Sequence, residues 1–199
     1  MTDRSLHASN CFLKGNMHFD REDYDKAIIL YTLSLSGNCD ENTFHNLAIS
    51  HYMKGNYHKA AKNYAISLAV KPDFCRSLNG WGFCLVNLGK YDQAILKFKK
   101  AIEIDPKYTQ GYLNWGLVLY WKKEEAEAEK VIEKALKNSS QSKAVFVGRY
   151  EFELSLAEKR LAKARSEEEK ALLEEQIPGY RWMLELIPQK MKDEWDGLF

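Results

Sequence analysis

Histidine, cysteine and the carboxylates are the side chains that could do acid–base, nucleophilic or metal chemistry, and their spacing in this chain serves none of it. The five histidines, at 7, 18, 45, 51 and 58, include no H-x-x-x-H pair, the helical spacing that aims two imidazoles at one metal. Cys11, Cys39, Cys75 and Cys84 form no C-x-x-C pair, and a free thiol within a helical pattern behaves as a small hydrophobe. The sequence contains neither a glycine-rich phosphate loop nor a G-x-S-x-G elbow. These observations predict a non-enzymatic protein with no cofactor and no metal site. The chemistry left to it is recognition, carried by aromatic, aliphatic, amide and guanidinium side chains.

Charge narrows the partners. Twenty-nine basic residues face 28 acidic ones, a formal net charge of +1, so neither a nucleic-acid footprint nor a polyanion preference is expected. The densest basic run, Lys97-Phe98-Lys99-Lys100, reads as the solvated face of a helix. The N-terminal MTDRSLHASNCFLKGN lacks an apolar segment, and no run of about 18 apolar residues occurs. With the unpaired cysteines, this predicts a cytoplasmic protein that does not insert into membranes.

The elements that must position the recognition residues follow from an internal repeat. Ala27, Ala60, Ala94 and Ala128 are separated by 33, 34 and 34 residues. Small residues Gly15, Ala48, Gly82 and Gly116 precede them, and Tyr31, Tyr64 and Phe98 follow four residues later. Small residues in two successive helices let their backbones approach, and the aromatic one turn on fills the remaining space. Each helix pair then exposes an apolar face that only a neighbouring pair can cover, so the units stack. Four units are expected, at 8–40, 41–74, 75–108 and 109–142, after an N-terminal tail at 1–7. Asp73 and Thr109 are candidate N-caps, and Pro72 is a helix stop. His18 and His51 take the places that Leu85 and Leu119 hold in later units, so they are read as packed structural residues.

Trp81-Gly82, Tyr91, Ala94, Phe98, Ala101 and Pro106 carry a resemblance to the tetratricopeptide-repeat family, a helix–turn–helix unit of 34 residues. The resemblance covers about residues 8–142. Departures lie in the edge units, at Lys14, Glu125, Ile132 and Ser140. It implies an all-α fold: a right-handed α-solenoid of helix–turn–helix repeats with C-terminal capping helices. Residues 143–199 supply the cap: a helix over 143–165, then a second opened by Ser166 and Glu169 and interrupted at Pro178-Gly179. A short apolar segment, Tyr180 to Ile187, and a polar-aromatic tail complete the chain.

In the first helix of each unit, one stripe packs within the solenoid. A second, at i, i+3, i+7 and i+10, lines the concave groove in proteins similar to this one. It reads Ser9, Phe12, Asn16, Phe19; Asn42, His45, Ile49, Tyr52; Arg76, Asn79, Phe83, Val86; Gln110, Leu113, Leu117, Tyr120. The expected peptide site comprises Asn16, Phe19, Asn46, Ile49, Tyr52, Arg76, Asn79, Phe83, Leu113, Leu117 and Tyr120. Phe83, Ile49, Tyr52 and Leu117 would be apolar anchors, and Asn16, Asn46, Asn79 and Arg76 polar guides. For Leu113, Leu117, Tyr120 and Trp121 the alternative is cover by the helix at 143–165. Some members of the family hold a partner's C-terminal carboxylate with a lysine, two asparagines and two further basic residues. Asn16, Asn46 and Arg76 match that pattern, while Phe12 and Gly80 stand where two cations belong. Asn46 either orders the unit's own helices or bonds a bound peptide backbone.

The expected function is an adaptor or co-chaperone that binds a partner peptide in the groove. The alternative is a self-associating scaffold, a homo-oligomer in which the C-terminal segment fills a groove, motivated by Trp182 to Ile187 and by Trp195, Leu198 and Phe199.

Overall fold

The computed structural model describes residues 3–37, 39–137, 143–164 and 166–196. It divides into two compact units, Met1–Asp105 and Pro106–Phe199. The first contains α1 (Asp3–Asp20), α2 (Tyr24–Ser34), α3 (Glu41–Met53), α4 (Tyr57–Val70), α5 (Cys75–Val86) and α6 (Tyr91–Ile104). The second contains α7 (Thr109–Trp121), α8 (Glu125–Lys137), α9 (Lys143–Leu161) and α10 (Glu167–Asp196). The fourth repeat therefore shares a compact unit with the C-terminal helices. Helix α1 begins at Asp3, inside the expected tail.

Within each pair the packing follows the small-residue logic. Ala27, Ala48, Ala60, Ala94 and Ala128 are fully buried. A Cβ built on Gly82 would enter the Phe98 ring, so this helix crossing admits only hydrogen there. Between pairs, Leu47 of α3 joins Ala27 and Tyr31 of α2. Cys84 and Trp81 of α5 likewise join Ala60 and Tyr64 of α4.

The turn inside every repeat is one motif. Asp23, Asn56, Lys90 and Glu124 donate their backbone N–H to the carbonyls of His18, His51, Leu85 and Leu119 at 2.9, 2.9, 2.8 and 2.9 Å. The residue just before each donor is left-handed: Glu22 at φ 59°, Gly55 at 75°, Gly89 at 68° and Lys123 at 65°. This is the Schellman arrangement, which needs a left-handed residue and favours glycine. The two inner repeats supply glycine; the first and fourth force an L-residue into it.

The expected caps differ. The N-cap of α5 is Phe74 and that of α7 is Tyr108, neither with a side-chain bond. The side-chain caps are Asp23 on α2, whose carboxylate accepts from Lys26 N–H, and Asp40 on α3, which accepts from Asn42 and Thr43. Ser166 does open α10, with its Oγ accepting from Glu169 N–H at 3.1 Å.

Pro178 does not interrupt α10, which runs on through Pro178 and Pro188. Leu173, Ile177, Tyr180, Met183 and Ile187 are buried at helical spacing on both sides of the proline. Each buried side chain is worth about 1.5–3 kcal/mol, against about 3 kcal/mol for an interior proline. Trp121 of α7 packs against the helix beside the proline: its Nε1–H donates to the Gln176 carbonyl at 3.1 Å, and Gly179 lies against its indole.

Candidate functional site

In the first unit, helices α1 and α3 place amides at the centre of the groove. Tyr31 OH donates to Asn16 Oδ1 at 2.8 Å, and Asn46 Nδ2 donates to the same oxygen at 3.1 Å. Burial of Tyr31 pushes its phenol up to about 12, so the hydroxyl keeps its proton and remains a donor. Asn16 Oδ1 is thereby spent. The Asn16 Nδ2 and the Asn46 Oδ1 have no partner among the described residues, whereas the Asn46 main-chain carbonyl accepts from the Ser50 hydroxyl at 2.9 Å.

Two cavities meet at Asn46. One, of about 310 Å³, is lined by Asn16, Phe19, Asp20, Tyr31, Asn46 and Ile49. The other, of about 630 Å³, has Ser9, Phe12, Leu13 and Ser34 on one side and Asp40, Asn42, Asn46 and Arg76 on the other. Arg76 is exposed but positioned. Its Nη2 donates to Asn42 Oδ1 at 3.4 Å, and its guanidinium lies 4.9 Å above the centre of the Phe74 ring. Asp40 is engaged locally: its Oδ1 accepts from the Asn42 and Thr43 N–H groups at 2.9 and 3.0 Å, and its Oδ2 from the Thr43 hydroxyl at 2.7 Å.

The structure thus brings together Asn16, Phe19, Asn46, Ile49 and Arg76 of the expected site. The other members sit elsewhere. Phe83 is only 4 % exposed and meets Phe98 edge-on at 5.9 Å, so it is core and no free anchor; Asn79 is buried as well. Tyr52 is half-buried, with its ring edge-on to Tyr57 and its hydroxyl accepting from Asn87 Nδ2 at 3.2 Å. Phe83 and Asn79 are covered because helix α5 packs against α3, α4 and α6.

In the second unit, Leu113 and Leu117 are 0 and 1 % exposed, which removes them as free anchors too. Tyr120 stacks on Trp182 of α10, rings 4.4 Å apart and 18° from parallel. Asn114, at the place Asn46 holds in the second repeat, accepts from Tyr150 OH of α9 at 3.3 Å and from Gln110 Nε2 at 2.9 Å. The C-terminal helices therefore satisfy this end of the stripe from within the chain. Trp182 and the segment after it are consumed there, with Met183, Leu186 and Ile187 buried. Leu198 and Phe199, and the Trp195 side chain, lie outside the described residues.

Missed in the sequence were Tyr31, Asp20 and Leu13. Tyr31 could have been flagged, since a tyrosine in a close-packed aromatic place must find its hydroxyl a partner; which partner depended on the fold. At the two departures from the carboxylate pattern, Phe12 packs on Tyr31 with ring centres 5.9 Å apart. A side chain at Gly80 would run into the Tyr64 ring. The missing cation at 80 is thus excluded by packing.

Four helix pairs with a common turn and a common small-residue contact define a helical-repeat protein. A family model described as the TPR repeat matches residues 82–122. Among curated proteins, the photosystem I assembly protein Ycf3 of Acaryochloris marina (strain MBIC 11017) is 29 % identical over 99 residues, 48 % of this chain. The match spans 60 % of that relative's length. Among solved structures, TTC0263, a thermophilic TPR protein of Thermus thermophilus, aligns over 93 % of this chain and 97 % of its own, with TM-score 0.61 and 22 % identity. YrrB, a TPR protein with an unusual peptide-binding site, aligns over 66 % of this chain and 69 % of its own, with TM-score 0.59 and 21 % identity. Residues 82–122 thus match the TPR repeat, and the fold is all-α, built of helix–turn–helix repeats like those of solved TPR proteins.

Proposed function

We propose that this protein is a non-enzymatic interaction adaptor that holds an extended peptide of a partner protein in the groove of its first unit. The observation that carries this reading is the amide pair Asn16–Asn46 between two cavities, with one NH₂ and one carbonyl left over. A peptide backbone offers the complementary carbonyl and N–H. Phe12 and Leu13 in one cavity, and Phe19 and Ile49 in the other, give apolar walls for its side chains. Two similar proteins support the class: YrrB is described by its peptide-binding site, and Ycf3 as an assembly protein. The site is accordingly Asn16, Phe19, Asn46, Ile49 and Arg76, joined by Phe12, Asp20 and Asn42.

Co-chaperone is the narrower form of this role, and Phe12 and Gly80 in place of cations favour the broader one. Self-association through Trp182 to Ile187 loses support, because Met183, Leu186 and Ile187 are interior to the second unit. A cytoplasmic setting is proposed with the function: all four cysteines are free thiols, and among the described residues no helix is long and apolar enough to cross a membrane.

The test is selection of random displayed peptides on the purified protein, followed by measurement of binding to Asn46→Ala. Selected peptides should lose about tenfold in affinity, the effect of one buried hydrogen-bond pair, while the melting curve stays close to wild type. Selected peptides that bind Asn46→Ala and the second groove variant Phe12→Ala as well as wild type would sink the proposal.

A further inference from the structure

The peptide-groove reading says that a segment binds; the two cavities differ in a way that says which segment. The larger carries Arg76 and the smaller carries Asp20, and both side chains are exposed. Their charges act over the groove. Asp20 contributes to raising the Tyr31 phenol, and Arg76 to depressing the His45 imidazole, in each case after burial. Asp40, the other anion beside Arg76, has its carboxylate directed into the α3 cap by three hydrogen bonds. A ligand therefore meets a cation at one end of the groove and an anion at the other.

The separation follows from α3, which borders both cavities. Asn42, which holds Arg76, and Ile49, which shares a cavity with Asp20, lie seven residues apart on this helix. At 1.5 Å per residue that is about 10 Å, the length of about three extended residues at roughly 3.3 Å each. Asn46 stands between them, where the amide pair meets the backbone. We infer that the groove of the first unit selects an internal, extended segment in which an acidic and a basic side chain stand about three residues apart, the acid on Arg76 and the base on Asp20.

Arg76 suits the acidic position. Asn42 and Phe74 hold the guanidinium in place while most of its five N–H donors stay available for a bidentate carboxylate. An internal segment fits better than a chain terminus. Arg76 is the cation among the described residues lining the larger cavity, and the Tyr64 ring excludes a second at position 80. A terminal carboxylate thus gains nothing there over an aspartate or glutamate side chain. The intervening residues meet Phe12 and Leu13 at the Arg76 end and Phe19 and Ile49 at the Asp20 end, so apolar side chains are expected between the two charges.

The experiment uses the full chain and a random peptide library displayed ahead of a fixed spacer, so that no free carboxylate lies within the selected segment. Selection on wild type should enrich an acidic and a basic residue about three apart. Arg76→Glu should abolish the acidic preference and keep the basic one; Asp20→Lys should do the reverse. Both positions are exposed, so both variants should melt as wild type does. A synthetic selected peptide with an amidated C-terminus should bind as well as the free acid, and replacing its acidic residue by the amide should cost about tenfold. Peptides that respond to Asn46→Ala, yet lack the charge pair or keep it unchanged on both charge reversals, would overturn this inference and leave the adaptor reading standing. Peptides that survive amide substitution but fail on amidation of the terminus would overturn it in favour of carboxylate capture. Selection of no peptide at all, or only of peptides indifferent to Asn46→Ala and Phe12→Ala, would remove both readings together.

Discussion

His45 is the residue whose chemistry is most altered by the fold. Its ring sits between Tyr64 and Phe74, with centroids 5.5 and 5.2 Å away, and its Nδ1 bonds the Ser77 hydroxyl at 2.9 Å. Ser77 continues to Ser67 at 2.8 Å, and Ser67 donates to the Glu41 carbonyl at 2.9 Å. Burial first, and the Arg76 charge second, hold the imidazole down at about 4. The unfolded chain takes up this proton near pH 6.5. Folded stability is therefore fully present above about pH 6.5 and falls as the pH drops from there towards 4, by up to about 3 kcal/mol. Melting temperatures of wild type and His45→Leu, measured between neutral pH and pH 4, should converge on acidification; parallel curves would show that His45 is not the group. Phe83 belongs to the same scale. Phe83→Ala should cost about 3–5 kcal/mol in a urea titration, as core truncations do, and should not act as a selective binding mutation.

At the scale of elements, the four turns make a natural comparison within one molecule. Glu22 and Lys123 hold left-handed backbone that Gly55 and Gly89 hold without strain. Left-handed backbone costs an L-residue about 1–2 kcal/mol, and glycine's larger unfolded entropy takes back up to about 1 kcal/mol. Glu22→Gly and Lys123→Gly should each stabilise by a few tenths to about 1 kcal/mol, and Gly55→Ala should destabilise by a similar amount. Thermal melts of the three variants decide the matter. The proline-bearing helix α10 makes a second prediction. Trp121→Phe keeps an aromatic ring but removes the N–H that donates to the Gln176 carbonyl, so the variant should lose about 0.5–1.5 kcal/mol, the net worth of one hydrogen bond. Hydrogen exchange should show the loss around Pro178 first.

For the whole molecule, the two units treat the same groove stripe in opposite ways. The first leaves Asn16, Asn46 and Arg76 at open cavities. The second satisfies its stripe from α9 and α10, through Tyr150 on Asn114 and Trp182 on Tyr120. Lys190 of α10 also reaches back to α8, pairing with Glu133 at 2.6 Å and Glu129 at 3.5 Å. Removing the chain from Glu167 onward would uncover Tyr150, Tyr120 and Trp121 at once. Such a truncation should bind a hydrophobic dye and aggregate, because contiguous apolar surface is sticky, while the full chain does neither; size exclusion and dye fluorescence read this directly.

Periodicity alone determined the fold: alanines 33, 34 and 34 residues apart, each with a small partner upstream and an aromatic after it, admit close helix pairs and little else. It also placed Asn16, Ile49 and Arg76 on one stripe, because side-chain direction on a helix is set by residue number, while Asn46 came from the family resemblance. Tertiary structure decided which part of the stripe stays open. Phe83 and Leu117 share a register with Ile49, and Leu113 lies on the same stripe, yet neighbouring elements cover them, and cover depends on what a distant segment does. The same holds for Pro178, where a local rule predicted a break and the burial of five side chains beyond its reach kept the helix whole. Local geometry is written in short-range spacing, whereas burial and the pairing of Tyr31 with Asn16 or Trp182 with Tyr120 arise only when the chain meets itself.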